Sequence, residues 1–291
     1  MAFLDSLTGR APSPNEAALA CAVTVLTLDG DLLDIERRII ALFRDQFPPL
    51  SSVDEAIFIQ TLNRAIEAVS EKNVAADIPG FVRTVIAPAI TAPADRLAAY
   101  RYVYSLAMAD LNLDDGETAL LSAMQSVLGL APADCRRAEQ EALAEFHVLH
   151  EALAATVLGL MVVSADGQVQ DDELAHVREA RNLLAPIGRL DDVQFELVFD
   201  LSLYIHDRFL LDPNNRRAFV EGVVAPMLDQ EHRSGAFEYI AAIATADGDI
   251  AQAEVDVLKE VLTALGLQDA QGEAIFNRYM GRIRTIDGKP R

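Results

Sequence analysis

The stretch ADGDIAQAE, residues 246–254, decides the fold. Before it runs an apolar segment, Ala236 to Ala246, with the composition of a buried helix. Asp247 ends that helix, and Gly248 supplies the left-handed residue that commonly closes one. Ile250 is predicted to point into the core, a second helix to begin near Ala251–Gln252, and Glu254 to fall in its first turn. Val255, Leu258, Val261, Leu262 and Leu265 then follow at the three-and-four spacing of one buried helical stripe. The stretch is therefore a helix–turn–helix corner with an Asp at the end of one helix and a Glu at the start of the next.

Three further stretches share this form: LDGDLLDIE (28–36), ADLNLDDGE (109–117) and ADGQVQDDE (165–173). Each pairs an Asp with a Glu seven residues later, giving Asp29/Glu36, Asp110/Glu117, Asp166/Glu173 and Asp247/Glu254. Within each half of the chain the two corners stand 81 residues apart, and the halves are offset by 137. FVRTVIAP (81–88) answers FVEGVVAP (219–226), shifted by 138 because the second copy carries one extra residue before it, and Gly129-Leu130 answers Gly266-Leu267 at 137. The agreement includes residues without chemistry, such as Pro88 and Pro226, each expected to end or kink its helix. Such periodicity predicts tandem duplication, with domains at 1–148 and 149–291.

Length and charge agree with two modules. A chain of 291 residues exceeds what one core usually organises, and its halves match the commonest domain size. The net charge of −21 is shared almost equally between the halves. It repels phosphate backbones and anionic lipid, so nucleic acid is excluded as a partner, while basic protein surfaces and divalent cations are favoured. Cys21 and Cys135 lie in apolar helical patterns of the first half only, and are expected to be packing thiols. The opening MAFLDSLTGR lacks the features of a secretory signal, and the apolar run 152–165 is too short to span a bilayer. These readings predict a cytoplasmic protein without a transmembrane segment. Prolines break the chain into six or seven helices per half, and the alternation of strands is missing. The fold class is all-α.

The two corner acids pose unequal questions. A carboxylate in the first turn of a helix gains about 0.3–1 kcal/mol from the dipole and the free amides. An Asp at a helix C-terminus instead faces carbonyl oxygens, and needs compensation. It can accept from amides of its own turn, pair with an Arg, or ligate a cation together with the Glu that the corner brings back. Asp31, Asp114, Asp115, Asp171, Asp172 and Asp249 enrich the same loops, and oxygen-only ligands suit Ca²⁺ or Mg²⁺. The EF-hand loop with its glycine at the sixth place is absent. At the second corner Leu111 replaces the glycine, so that turn is expected to be made differently.

A corner of this type, twice per helical unit at this separation, resembles the TerB family of tellurite-resistance proteins. The likeness spans about 130 residues of each half and includes the opening MAFLDSLTG. The resemblance implies a compact bundle of about seven helices, here in two tandem copies. It also implies a bacterial stress or chemical-defence role linked to the inner face of the membrane, with protein partners and peripheral association with inner-membrane complexes. The family's acidic motif residues, implied to bind a divalent metal, correspond here to Asp29, Glu36, Asp110, Glu117, Asp166, Glu173, Asp247 and Glu254. TerB-like domains also occur joined to a J-domain, but no His-Pro-Asp tripeptide exists in this chain.

Other constellations carry less. Glu173 and His176 form a single Glu-x-x-His pair, where a ferritin-like di-iron site needs two. His147 and His150, one helical turn apart beside Glu151, have metal-ligand character but fall at the expected junction, where a solvated hinge is predicted. No phosphate-binding loop, nucleophile elbow or Cys-x-x-Cys pair is present. The sequence thus predicts a non-enzymatic interaction protein whose acidic corners hold Ca²⁺ or Mg²⁺. The alternative is a metal-free adaptor in which the motif only caps helices.

Overall fold

The computed structural model describes residues 12–28, 32–70, 74–165, 169, 171–246 and 250–286. Among them the protein is all-α, without a strand. The chain divides into two compact units, residues 1–146 and 147–291.

The first unit is built around α1 (Pro14–Thr27). Its sequence PNEAALACAVTVLT is apolar on every side, and a helix without a polar face must lie at the centre of a bundle. Every residue from Ala17 to Ala22 is indeed fully buried. Ser13 and Glu16 start this helix with a reciprocal capping box. After α2 (Asp34–Leu42) and the single-turn α3 (Pro48–Ser51) comes α4 (Glu55–Ser70), which packs on α1. Next come α5 (Ile78–Ala89), α6 (Pro93–Ala107), α7 (Asp115–Leu128) and α8 (Pro132–Glu145). α6 packs against α1, α7 and α8.

The second unit repeats this order around α9 (His147–Val163), buried without interruption from His150 to Val163. It continues with α10 (Asp171–Glu179), α11 (Ala185–Gly188), α12 (Asp192–Ile205), α13 (Pro213–Phe219) and α14 (Ala225–Met227). α15 (Arg233–Ala244), α16 (Gln252–Ala264) and α17 (Asp269–Ile286) complete it. Helix α9 packs against α11, α12 and α15. Among the described residues each unit has seven helices longer than a single turn.

Individual bonds recur at the sequence offset. Arg96 donates to the carbonyls of Ile90 and Leu128, and Arg233 donates to those of Leu228 and Leu265. Arg44 pairs with Glu55 and covers the ring of Phe58; Arg181 pairs with Asp192 and covers Phe195. Gly129 and Gly266 close α7 and α16 at φ 69° and 67°, a left-handed conformation that a side chain would strain. Leu130 N–H reaches back to Gln125 and Leu267 N–H to Leu262, completing the same C-cap twice. Before each motif proline the helix widens to π register, over Val82–Ile86 and Val220–Val224, and it ends one residue past the proline, at Ala89 and Met227.

Two expectations need correction. The 148/149 boundary lies inside α9, whose first turn starts at His147. Nor is that turn a solvated hinge: His150 is 4% exposed and Glu151 2% exposed. Burial of the apolar face of α9 draws its first turn into the second unit.

Candidate functional site

The corner at 110–117 is described in full. Helix α6 runs into a 3₁₀ turn, Met108–Asp110, and Leu111 then reverses the chain at φ 66°. Leu111 itself adopts the left-handed conformation expected of a glycine; the glycines of the other three corners, Gly30, Gly167 and Gly248, lie outside the described residues. That conformation costs a residue with a Cβ roughly 1–2 kcal/mol. Leu111 is 2% exposed, so burial of its side chain offsets the strain.

Asp110 Oδ1 accepts from the backbone N–H of Asn112 at 3.0 Å, an Asx-turn that offsets the poor placement of a carboxylate at a helix end. Asp114 Oδ1 accepts from Glu117 N–H at 2.8 Å, and Glu117 Oε2 accepts from Asp114 N–H at 2.9 Å. This is a complete capping box at the start of α7.

Two of the other corners repeat one half of that box. Glu36 Oε2 accepts from Leu33 N–H at 2.7 Å, and Glu254 Oε2 accepts from Ala251 N–H at 2.7 Å. Leu33 and Ala251 carry no acceptor, so nothing returns to the glutamate's own amide from their side chains. Glu173 occupies the third position of α10, as Glu36, Glu117 and Glu254 do in their helices. Three motif aspartates, Asp29, Asp166 and Asp247, lie outside the described residues, as do Asp31 and Asp249.

The carboxylates therefore perform local work where they are described: they satisfy helix-start amides and stand at the positive end of the dipole. Among the described residues, ligating groups that converge in threes are found elsewhere, in the second unit. One set is His147, Glu151 and Asp229; the other is Asp229, Glu231 and His232. The sequence had pointed to His147 and His150 beside Glu151, of which His150 belongs to neither set. It gave no sign of Asp229 and His232, about 80 positions away, because only the packing of α14 and α15 beside α9 brings them there.

The cysteines behave as packing thiols. Cys21 and Cys135 are free and buried, and burial pushes both thiols above their usual range, which keeps them protonated. Among the described residues no single helix is long and apolar enough to cross a membrane.

These features define an all-α bundle whose acidic corners are organised as helix starts. Residues 15–140 match the model of the TerB family, described as Tellurite resistance protein TerB. That match covers most of the first unit and less than half of the chain. No curated protein and no solved structure matches the chain.

Proposed function

We propose that this chain is a non-enzymatic interaction protein of the tellurite-resistance type, made of two TerB-like units whose acidic corners set helix geometry. The match of residues 15–140 to the TerB family carries this reading. Extension to the second unit is supported by the arginine bonds, whose donors stand 137 residues apart, and by the glycine C-caps at the same offset. In this role each motif Glu caps a helix start, which fixes the direction in which that helix leaves the corner. The surface so shaped meets protein partners in the cytoplasm, including complexes at the inner membrane. A net charge of −21 favours basic partner surfaces and disfavours nucleic acid.

A second reading places Ca²⁺ or Mg²⁺ at the corners. It is supported by the density of acids in those loops, Asp29 and Asp31 or Asp247 and Asp249 beside Glu36 and Glu254. Calorimetry with Ca²⁺, Mg²⁺ and Mn²⁺ on wild type and Asp247→Asn separates the two. Heats present in wild type and lost in the variant support the cation; equal or absent heats leave the cap. The tellurite-type role has its own test in a deletion strain. It requires loss of growth on tellurite that the intact gene restores, and it fails if deletion changes nothing.

A further inference from the structure

The first turn of α9 and the loop before α15 bring together ligating groups that neither the corner motif nor the bundle requires. Glu151 is 2% exposed, yet it is a carboxylate. Its Oε1 accepts two hydrogen bonds, from Asp229 N–H at 2.8 Å and from His232 Nδ1 at 2.7 Å. With Oε1 held in this way, Oε2 stands 3.8 Å from His147 Nε2. His147 Nε2 in turn lies 2.9 Å from Asp229 Oδ2. Three donor atoms thus face one another: one imidazole nitrogen and two carboxylate oxygens, all within 4.8 Å.

We propose that His147 Nε2, Glu151 Oε2 and Asp229 Oδ2 form a zinc-binding site in the second unit, with His232 orienting Glu151 from behind. The spacing fits. A tetrahedral ion with bonds of about 2.0–2.2 Å holds its ligand atoms roughly 3.3–3.6 Å apart. The separations from His147 Nε2, 2.9 and 3.8 Å, bracket that range, and the three ligating groups lie within 4.8 Å of one another. The donor set fits as well. A mixture of imidazole and carboxylate suits zinc, whereas Ca²⁺ and Mg²⁺ prefer oxygen alone. The His232 contact to the far oxygen of Glu151 is an outer-shell support of the kind that orients metal ligands.

Comparison of the units removes the simplest structural explanation. Counted back by 137 residues, His147 and Glu151 correspond to Arg10 and Pro14, and the loop holding Asp229 and His232 corresponds to TAPAD at 91–95. The first unit still forms α1, α6 and the Arg96 bonds. The described part of the first unit therefore forms these helices and bonds without a His-Glu-Asp set at the corresponding sequence positions.

The test uses the full chain, stripped of metal and titrated with Zn²⁺ in a calorimeter. Wild type is expected to bind one Zn²⁺ through this site, and His147→Ala and Asp229→Asn are each expected to weaken binding at least tenfold. Glu117→Gln, at an acidic corner, is expected to leave Zn²⁺ affinity unchanged, which separates this site from the corner cation. Circular dichroism checks folding; Asp229 is half exposed, so its variant remains informative if His147→Ala is unstable. Co²⁺ in place of Zn²⁺ should give the intense visible bands of four-coordinate geometry. Absence of stoichiometric Zn²⁺ binding, unchanged affinity in both variants, or a six-coordinate Co²⁺ spectrum would overturn the proposal.

Discussion

Tyr102 and Tyr239, 137 positions apart, each donate a hydrogen bond across their unit, to the carbonyls of Ile40 at 3.1 Å and Val177 at 3.2 Å. Both side chains are fully buried. The two bonds do the same mechanical task. Tyr102 ties α6, which leads into the corner at 110, to α2, which leaves the corner at 29. Tyr239 ties α15 to α10 in the same sense. Each unit's two corners are thereby braced against one another through a bond formed between helices far apart in sequence.

Tyr239→Phe keeps the ring and removes the hydroxyl, leaving the Val177 carbonyl without that donor. A buried hydrogen bond of this kind contributes about 1 kcal/mol. The unfolding midpoint of the second unit in urea should fall accordingly, and Tyr102→Phe should do the same in the first unit. An unchanged midpoint in both variants would contradict the bracing role.

The corner glutamates give a prediction that separates hydrogen bonding from charge. Glu36→Ala and Glu117→Ala should each destabilise by about 1 kcal/mol, since an orphan amide at a helix start loses its acceptor. Glu117→Gln keeps an acceptor and should recover most of that loss. If Gln is as damaging as Ala, the negative charge itself is needed, and a cation rather than a cap explains the residue. Denaturant unfolding of the three variants measures this directly.

Leu111→Gly sets two effects against each other. Relief of the left-handed backbone is worth roughly 1–2 kcal/mol. Deletion of a fully buried leucine side chain costs roughly 2–5 kcal/mol. Burial is the larger effect, so the variant should lose about 1–3 kcal/mol in thermal or urea unfolding. A gain in stability would mean that the strain, not the packing, dominates at this corner.

His150 makes the second unit sensitive to acid. Burial and the neighbouring His147 lower its pKa from 6.5 to about 4. An unfolded chain therefore takes up this proton at a higher pH than the folded one does. The stability involved is present above pH 6.5 and is lost as pH falls toward 4, by about 3 kcal/mol at most. Melting curves from pH 7 to 4 should fall more steeply for wild type than for His150→Leu. His147 shifts the opposite way, raised by its bond to Asp229, so its contribution is present below pH 6.5 and fades as pH rises through its folded pKa. Parallel curves for wild type and His150→Leu would show that the ring is hydrated rather than buried.

Much of the architecture was legible because it rests on short-range rules. Helices show as spacing and their starts as an acid in the first turn; Gly129 and Gly266, read only as a repeat, close helices in the left-handed region. The corner at 110 was harder to read, because a leucine took the role of a glycine. The sequence shows a missing glycine there, but neither the left-handed turn at Leu111 nor the burial that offsets its strain. The convergent groups around Glu151 were half legible: His147 and Glu151 share one helical turn, and nothing local announces Asp229 or His232.

Sequence alone determined the helices and the acid at the start of each helix that leaves a corner, since capping and helical periodicity act over fewer than ten residues, and it showed the 137-residue offset as a repeat. Tertiary structure alone decided that Leu111 would be buried at its corner and that two segments some 80 residues apart would meet at Glu151. The physical reason is that an ionisable group's partners are set by what packing brings beside it. Proximity of that kind is a property of the folded bundle and has no period in the chain.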